Sequence, residues 1–286
     1  MNETNLVFYG VRGSYPVPDK NTIKYGGNTA SILIEIDDHI IILDGGTGIV
    51  NIGNYLKASK PQVKRVNLFL THLHIDHIQG IPFFDPVFDK EFHITIYCDN
   101  NKRNGMSFQE TIYSLFDKPL SPIGKKGIKA KFDFVELNTT DPQRITFAEN
   151  ITLDYIKEND HPLSGVIIYR LNIDDKHIVY ATDIETPRGF DGKYLEFIRG
   201  ADILIHDSQY FDADYYSVEK PKQGFGHSTV SMAAANALKA EVAKLFLFHY
   251  SPDYSDNDVE RMLAEARKTF TNTYLSEELK KINLRR

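Results

Sequence analysis

Short apolar runs rich in β-favouring residues, separated by turns, recur along the first half of the chain, a pattern typical of β-strands. A tight hairpin is predicted at Asp37-Asp38, between the second and third of these runs. The predicted strands are Leu6–Tyr9, Ser31–Ile36, His39–Leu43, Val66–Leu70 and Ile94–Cys98. Longer periodic stretches predict helices over Ile49–Ser59 and over Ser107–Asp117, with Ser107 as N-cap. Residues 118–131, with two prolines, two glycines and five lysines, are predicted to form an exposed irregular connection.

The second half repeats the same organisation, with a second hairpin predicted at Asp174-Asp175. Its predicted strands are Ile151–Lys157, Gly165–Asn172, His177–Thr182, Ile203–His206 and Leu245–His249. Its predicted helices are Lys193–Arg199, Thr229–Lys239 and Asp256–Phe270, the last preceded by a start signal at Ser255 and Asp258. Two β-rich halves that each end in helices predict an α/β (α+β) fold, a four-layer αββα sandwich forming a single domain over residues 1–286.

Composition and charge narrow the class of protein. The chain has 286 residues, of which 42 % are hydrophobic, and a formal net charge of −6. Such a balance does not favour tight, non-specific binding to nucleic acid. Cys98 is the only cysteine, so a disulfide framework and metal binding by thiolate pairs are excluded. No signal peptide and no apolar run of membrane-spanning length is evident, and we expect a cytoplasmic protein without a membrane partner.

A dense group of imidazoles and carboxylates follows the predicted strand Val66–Leu70. His72, His74, Asp76 and His77 lie within six residues, in an H-x-H-x-D-H pattern at the end of that strand. Neutral imidazole nitrogens and a carboxylate suit borderline divalent ions such as zinc, with manganese or iron as alternatives. The spacing predicts a binuclear metallohydrolase rather than a chance cluster.

Further nitrogen and oxygen donors stand at the ends of other predicted strands. His161 follows Ile151–Lys157, Asp183 follows His177–Thr182, and His249 ends the run from Leu245. A structural role for any one of them is about as plausible as metal binding. Together with the central cluster, they strengthen the prediction of a metal site.

These residues resemble the metallo-β-lactamase fold superfamily, and within it the branch of ribonuclease Z and related phosphodiesterases. The resemblance covers most of the chain. It rests on Asp44-Gly45-Gly46-Thr47-Gly48, Thr71–His77, His161, Asp183, Ile205-His206-Asp207, His227-Ser228-Thr229 and His249. It implies a sandwich of the metallo-β-lactamase type with two divalent metal ions. One ion would be bound by His72, His74 and His161, the other by Asp76, His77 and His249, and Asp183 would bridge them.

The resemblance also implies a mechanism. A hydroxide between the two ions would be the nucleophile, oriented by Asp76, in the displacement of a phosphodiester. His227 is the predicted general acid, since imidazole titrates near neutral pH, and Asp207 would favour its charged form. The alternative for His227 is a capping role at the start of the following helix. Asp44 is predicted to accept a hydrogen bond from a metal-binding imidazole, and His206 to pack structurally.

Substrate and assembly are less narrowly predicted. Arg12, in the segment Gly10–Pro18, either binds a phosphate bidentately or braces a loop. The segment resembles small-molecule enzymes of the family that open cyclic phosphodiesters. With the acidic balance and the short stretch 118–131, this favours a small phosphodiester, a cyclic nucleotide, as substrate. The alternatives are a tRNA 3′ processing endonuclease of the ribonuclease Z kind, or a non-catalytic metal-binding subunit of the same fold. The family resemblance implies a homodimer.

Overall fold

The computed structural model describes residues 4–99, 105–137, 141–159, 161–162 and 165–284. Over these residues it contains fourteen strands and seven α-helices. The chain divides into two compact units, each built from separate chain segments. The first comprises Met1–Pro16, Asn28–Asn138 and Glu278–Arg286, and the second comprises Val17–Gly27 and Thr139–Glu277.

The first unit is built on a seven-stranded mixed sheet of order β14-β1-β2-β3-β4-β5-β6. Its strands are β1 Asn5–Gly10, β2 Ser31–Ile36, β3 His39–Leu43, β4 Arg65–Phe69, β5 His93–Cys98, β6 Lys131–Glu136 and β14 Lys281–Asn283. The neighbouring pairs β14–β1, β1–β2 and β2–β3 are antiparallel. The pairs β3–β4, β4–β5 and β5–β6 are parallel. All six residues of β2 are buried, which places this strand in the interior of the unit.

Three helices belong to this unit: α1 Ile49–Ser59, α2 Ile75–Ile78 and α3 Phe108–Ser114. The apolar face of α1, with Ile49, Ile52 and Leu56, joins one hydrophobic core with residues of β1 to β5. The start of α3 is fixed by a capping box, in which Ser107 and Glu110 satisfy each other's backbone N–H groups. α1 therefore buries its apolar face in the core of this unit.

The second unit is built on another seven-stranded sheet, of order β13-β12-β11-β10-β9-β8-β7. Its strands are β7 Gln143–Ala148, β8 Ile151–Glu158, β9 Val166–Ile173, β10 Lys176–Ala181, β11 Ile203–Asp207, β12 Leu245–Phe248 and β13 Thr273–Leu275. β7 to β10 are antiparallel, and β10 to β13 run parallel. Its helices are α4 Gly192–Ile198, α5 Asp212–Tyr215, α6 Val230–Lys239 and α7 Asp256–Ala266.

Most predicted elements are present, some to the residue. β2, β3 and α1 have the predicted bounds, and Ser255 caps α7 through the predicted pair with Asp258. The prediction missed four strands, β6, β7, β13 and β14, and extended α7 to Phe270, four residues too far. None of the described helices combines the length and the apolar character that a bilayer crossing requires.

Candidate metal centre

In the first unit, the topology brings the acidic turn and the histidine cluster to one edge of the sheet. β3 and β4 are parallel neighbours, so their carboxyl ends lie side by side. Asp44 directly follows β3, and the run from Leu70 to His77 follows β4. The chain then enters the four-residue helix α2 with His74 at its N-cap position. The sequence cluster therefore becomes a cluster in space at a strand end.

The cluster is compact and mostly buried. The ring centroids of His72 and His74 are 4.5 Å apart, and those of His72 and His77 are 4.4 Å apart. Asp76 lies with one carboxylate oxygen 3.5 Å from Nε2 of His77, and accepts a hydrogen bond of 2.7 Å from the backbone N–H of Ser14. His72, Asp76 and His77 are buried, and His74 is half-buried.

Asp44 orients His77 as predicted. Its carboxylate lies 2.8 Å from Nδ1 of His77 and also accepts hydrogen bonds from the backbone N–H and the hydroxyl of Thr71. A hydrogen bond at Nδ1 fixes the ring and leaves Nε2 as the nitrogen that can bind a metal ion. The predicted acceptor role of Asp44 is thus confirmed.

Close packing requires a glycine at Gly46, the last residue of the turn Asp44-Gly45-Gly46. A Cβ atom on Gly46 would lie 2.3 Å from the backbone carbonyl oxygen of Asp76. The neighbouring Gly45 donates its N–H to the carbonyl of His77 at 2.7 Å. The Asp44-Gly45-Gly46 turn therefore positions the backbone of α2 directly.

In the second unit, three parallel strands place three further polar residues at one sheet edge. Asp183 follows β10, Asp207 ends β11, and His249 follows β12. Asp183 and His249 have φ angles of 56° and 65°, as Asp44 does with 61°. Non-glycine residues rarely adopt this left-handed region, and such strain concentrates at functional sites. The strand ends are thus bent to direct these side chains.

Asp183 lies between two imidazoles. Its Oδ1 is 3.9 Å from Nε2 of His161, and its Oδ2 is 3.3 Å from Nε2 of His249. All three residues are buried. A carboxylate that turns one oxygen toward each of two imidazoles has the arrangement expected of a bridging ligand.

The other ring nitrogen of each histidine is occupied. Nδ1 of His161 lies 3.1 Å from the carbonyl oxygen of Gly226, and Nδ1 of His249 lies 2.8 Å from Oε1 of Gln209. As with His77, the acceptor at Nδ1 leaves Nε2 for coordination. Imidazoles fixed in this way, alongside carboxylates, are a donor set that fits borderline divalent ions. The residues present therefore fit a metal centre of the predicted kind.

Asp207 and His227 form the predicted pair. Nδ1 of His227 donates to Oδ2 of Asp207 at 2.8 Å, and the His227 side chain is 12 % exposed. Asp207 also accepts from the backbone N–H groups of Asp183, Gln209 and Ser228, at 3.0–3.1 Å. One ligand atom each of Asp207, His227 and His249 lies within 4.8 Å of the others. Because N–H donors already surround the Asp207 carboxylate, we interpret this trio as a hydrogen-bonded group rather than a metal site.

The alternative of a helix cap at His227 is excluded by the residue that caps α6. The Thr229 hydroxyl accepts from the N–H of Met232 and is therefore the N-cap. His206 is fully buried and packs structurally, as predicted: its Nδ1 donates to the carbonyl of Asp207, and its Nε2 accepts from Asn236. Burial lowers the pKa of His206 from its ordinary value of 6.5, and a neutral ring suits both contacts.

Arg12 is fully buried, with no exposed surface, and it influences the carboxyl of Glu278 electrostatically. Burial raises the pKa of Glu278, and the charge of Arg12 acts in the opposite direction. Burial of the guanidinium favours the loop-bracing alternative for Arg12 over a direct contact with substrate.

Sequence reasoning did not anticipate Gln209, Gly226, Thr71 or Ser14 as partners of the candidate ligands. Gly226, Thr71 and Ser14 act wholly or partly through backbone groups, and a pattern of side-chain types does not reveal such contacts. Glu185 was also missed: its carboxylate accepts the N–H groups of Gly224 and Gly226, at 2.7 and 2.8 Å, and so fixes the segment before His227.

Carboxylates and imidazoles near strand ends, three of the imidazoles held by acceptors at Nδ1, form a donor set that suits a metal-dependent hydrolase. Comparison with protein families matches residues 39–250 to the beta-lactamase superfamily domain. The chain therefore belongs to the metallo-β-lactamase superfamily. The expectations of a metal-dependent hydrolase of the phosphodiesterase type, and of a sandwich fold of the metallo-β-lactamase type, are confirmed.

Relatives and solved structures agree with this assignment. The chain is similar to a ribonuclease Z of Oceanobacillus iheyensis, with 30 % identity covering 95 % of this chain and 97 % of the relative. Among solved structures, it resembles the metallo-beta-lactamase fold protein YhfI from Bacillus subtilis, with a TM-score of 0.72, 18 % identity and 99 % of both chains covered. It also resembles the short form of human tRNase Z, with a TM-score of 0.68 and 19 % identity. This match covers 98 % of this chain and 99 % of the tRNase Z chain.

Proposed function

We propose that this protein is an endonuclease of the ribonuclease Z kind, which hydrolyses a phosphodiester bond in RNA. The similarity to a ribonuclease Z over nearly the whole of both chains supports this substrate class. It outweighs the sequence-based preference for a cyclic nucleotide, which rested on the segment Gly10–Pro18, the acidic balance and the short stretch 118–131.

The seven donors His72, His74, Asp76, His77, His161, Asp183 and His249 are proposed as the metal ligands. Their division between two ions, with Asp183 shared, follows the family resemblance. Zinc is the proposed metal, with manganese and iron as alternatives, because the donors are imidazoles and carboxylates. Two bound ions would supply Lewis-acid stabilisation of the phosphoryl oxygens and an activated water.

The observation that carries the proposal is the His227–Asp207 pair. Because Nδ1 of His227 donates to Asp207, its Nε2 is the nitrogen that can deliver a proton to a leaving alkoxide. The Asp207 carboxylate is itself held by three backbone N–H groups, so the ring it orients is held as well. A sugar hydroxyl is a poor leaving group without protonation, and a phosphodiesterase therefore benefits from such an acid. Asp76, held by the N–H of Ser14, is proposed to orient the attacking water.

A small phosphodiester such as a cyclic nucleotide is the second candidate. The net charge of −6 favours it, since a protein that grips an RNA backbone usually presents an excess of cations. All five lysines of the stretch 118–131 are exposed, so cationic side chains are concentrated there despite the overall charge.

The deciding experiment offers the metal-loaded protein two substrates, a precursor tRNA with a 3′ trailer and 3′,5′-cyclic AMP. Metal content is measured on the same preparations, and Asp76→Ala serves as control. Cleavage of the precursor that is lost in the variant supports the endonuclease. Turnover of cyclic AMP alone would replace it with the second candidate, and turnover of neither substrate by the metal-loaded protein would contradict both.

A further inference from the structure

An aromatic side chain is held in solvent two residues before the proposed general acid. The side chain of Phe225 is 53 % exposed. Exposing a phenyl ring forgoes the stabilisation that its burial would bring. Single exposed apolar residues are common on protein surfaces, so its local setting decides whether this one has a function.

The segment around Phe225 is held in a defined conformation. Glu185 accepts the backbone N–H groups of both flanking glycines, Gly224 and Gly226, and also the hydroxyl of Tyr215. The two glycines have φ angles of 82° and 85°, which residues with side chains rarely adopt. The N–H of Phe225 itself donates to the carbonyl of Lys222 at 3.2 Å. The ring is therefore presented to solvent by a built turn rather than by a loose loop.

A cation accompanies the ring. Nζ of Lys222 lies 5.5 Å from the ring centroid of Phe225 and 5.7 Å from that of Tyr210. Tyr210 in turn meets the ring of His227 edge to face, with 6.1 Å between centroids. These contacts link the exposed ring of Phe225 to the proposed acid His227 through Lys222 and the buried ring of Tyr210, all within the second unit.

We propose that Phe225 stacks against the nucleobase adjacent to the scissile phosphate, and that Lys222 pairs with a phosphate of the same nucleotide. Aromatic faces combined with cations are the usual means of holding unpaired nucleotides without reading their sequence. This inference rests on the proposed function, because it requires a nucleotide substrate whose leaving oxygen lies near His227. It makes Phe225 and Lys222 determinants of substrate binding rather than catalytic residues.

The test removes the base from the substrate and the ring from the protein in turn. Substrates are an intact precursor RNA and the same RNA with a single abasic nucleotide beside the cleavage position. Stacking contributes about 1–3 kcal/mol per base, so the wild type should cleave the intact RNA with a kcat/KM about 5- to 150-fold above that of the abasic RNA. In Phe225→Ala this discrimination should fall close to onefold.

Four further variants sharpen the result. Phe225→Tyr keeps an aromatic face and should keep the discrimination, whereas Phe225→Leu keeps apolar bulk only and should lose it. Val218→Ala is the matched control, since Val218 is an apolar residue that is 98 % exposed and lies seven residues before Phe225. This variant should discriminate between the intact and the abasic RNA as the wild type does. Lys222→Gln should lower kcat/KM on both RNAs and reduce the salt dependence of binding by about one unit in the slope.

The outcomes separate this inference from the proposed function. A wild type that cleaves both RNAs equally well, or a Phe225→Ala variant that still discriminates between them, overturns the stacking role and leaves the endonuclease intact. Absence of metal-dependent cleavage of any phosphodiester overturns both. If only cyclic nucleotides are turned over, 3′,5′-cyclic AMP beside a base-free ribose cyclic phosphate makes the same test, and equal turnover of these two substrates overturns the inference.

Discussion

At the scale of single residues, four histidines of the site share one arrangement. Each of the four presents Nδ1 to an oxygen acceptor, which fixes the tautomer and directs Nε2 elsewhere. The pairs are His77 with Asp44, His161 with Gly226, His227 with Asp207, and His249 with Gln209. The two carboxylate partners could be predicted, because a carboxylate at a strand end is conspicuous in an apolar run. The side-chain amide of Gln209 and the backbone carbonyl of Gly226 could not be predicted. They lie 40 and 65 residues along the chain from His249 and His161, the histidines that they hold.

Replacing His227 by Ala should slow the cleavage of RNA by about 10²–10⁴-fold, the usual contribution of a general acid. Metal content should stay that of the wild type, because His227 is not among the proposed ligands. The same variant should lose far less activity on bis(p-nitrophenyl) phosphate, whose phenolate leaves without protonation. An equal loss on both substrates would show that His227 does not act as the acid.

The buried His206 should make stability depend on pH. Burial lowers its pKa in the folded protein below the ordinary value of 6.5. As the pH falls through that value, the unfolded chain binds a proton that the folded protein does not, so stability declines by up to about 1.4 kcal/mol per pH unit until the folded-state pKa is reached. The decline is absent above pH 6.5, where both states are neutral.

The measurement is the free energy of unfolding in denaturant at a series of pH values, for the wild type and His206→Gln. Glutamine retains a donor for the Asp207 carbonyl and an acceptor for Asn236 but does not titrate. The wild type should therefore lose stability relative to His206→Gln as the pH falls below about 6.5. A difference that is independent of pH would show that His206 takes up its proton equally in both states.

At the scale of elements, parallel strands explain why distant residues form one group. In one unit β3 and β4 end side by side at an edge of their sheet, and in the other unit β10, β11 and β12 do the same at an edge of theirs. Their apolar runs were predictable because buried parallel strands are nearly continuous in hydrophobic residues. β6 and β7 were missed because they are edge strands with few fully buried residues, and β13 and β14 because each has only three residues.

The segment leading to His227 offers a matched pair of glycine variants. Gly224→Ala and Gly226→Ala both place a side chain at a positive φ, at a cost of about 1–2 kcal/mol each. A Cβ atom on Gly226 would lie 2.3 Å from Nδ1 of His161, whereas one on Gly224 meets nothing within 4 Å. Gly226→Ala should therefore displace the ring of His161, and Gly224→Ala should not.

If His161 binds a metal ion, Gly226→Ala should lower metal affinity by about 10–100-fold relative to Gly224→Ala, the usual effect of losing an orienting contact to a ligand. Competition with a chelator measures both affinities, and thermal unfolding checks that the two variants are similarly stable. Equal metal affinity in the two variants would remove His161 from the proposed ligands.

At the scale of the whole molecule, the two compact units are interleaved along the chain. The boundaries follow Pro16, Gly27, Asn138 and Glu277, so neither unit is formed by one continuous stretch. β14, from the C-terminal end, pairs with β1, and the segment 17–27 is tied to Asp256 by the backbone N–H groups of Lys24 and Tyr25. Repetition along the sequence predicted two β-rich halves, but it could not predict these exchanged segments, which depend on contacts of very long range.

A single domain over residues 1–286 was predicted from the sequence, and the interleaving of the two units supports a test of it. Unfolding of one unit would release the ends of the segments that belong to the other. We expect one cooperative transition on heating, with far-UV and near-UV circular dichroism coinciding. At about 0.7 kcal/mol per residue, the calorimetric enthalpy near 60 °C should be about 200 kcal/mol for 286 residues, and the van't Hoff enthalpy should equal it. Two units that unfold independently would give a van't Hoff enthalpy of about half that value, and the chain would then be two domains.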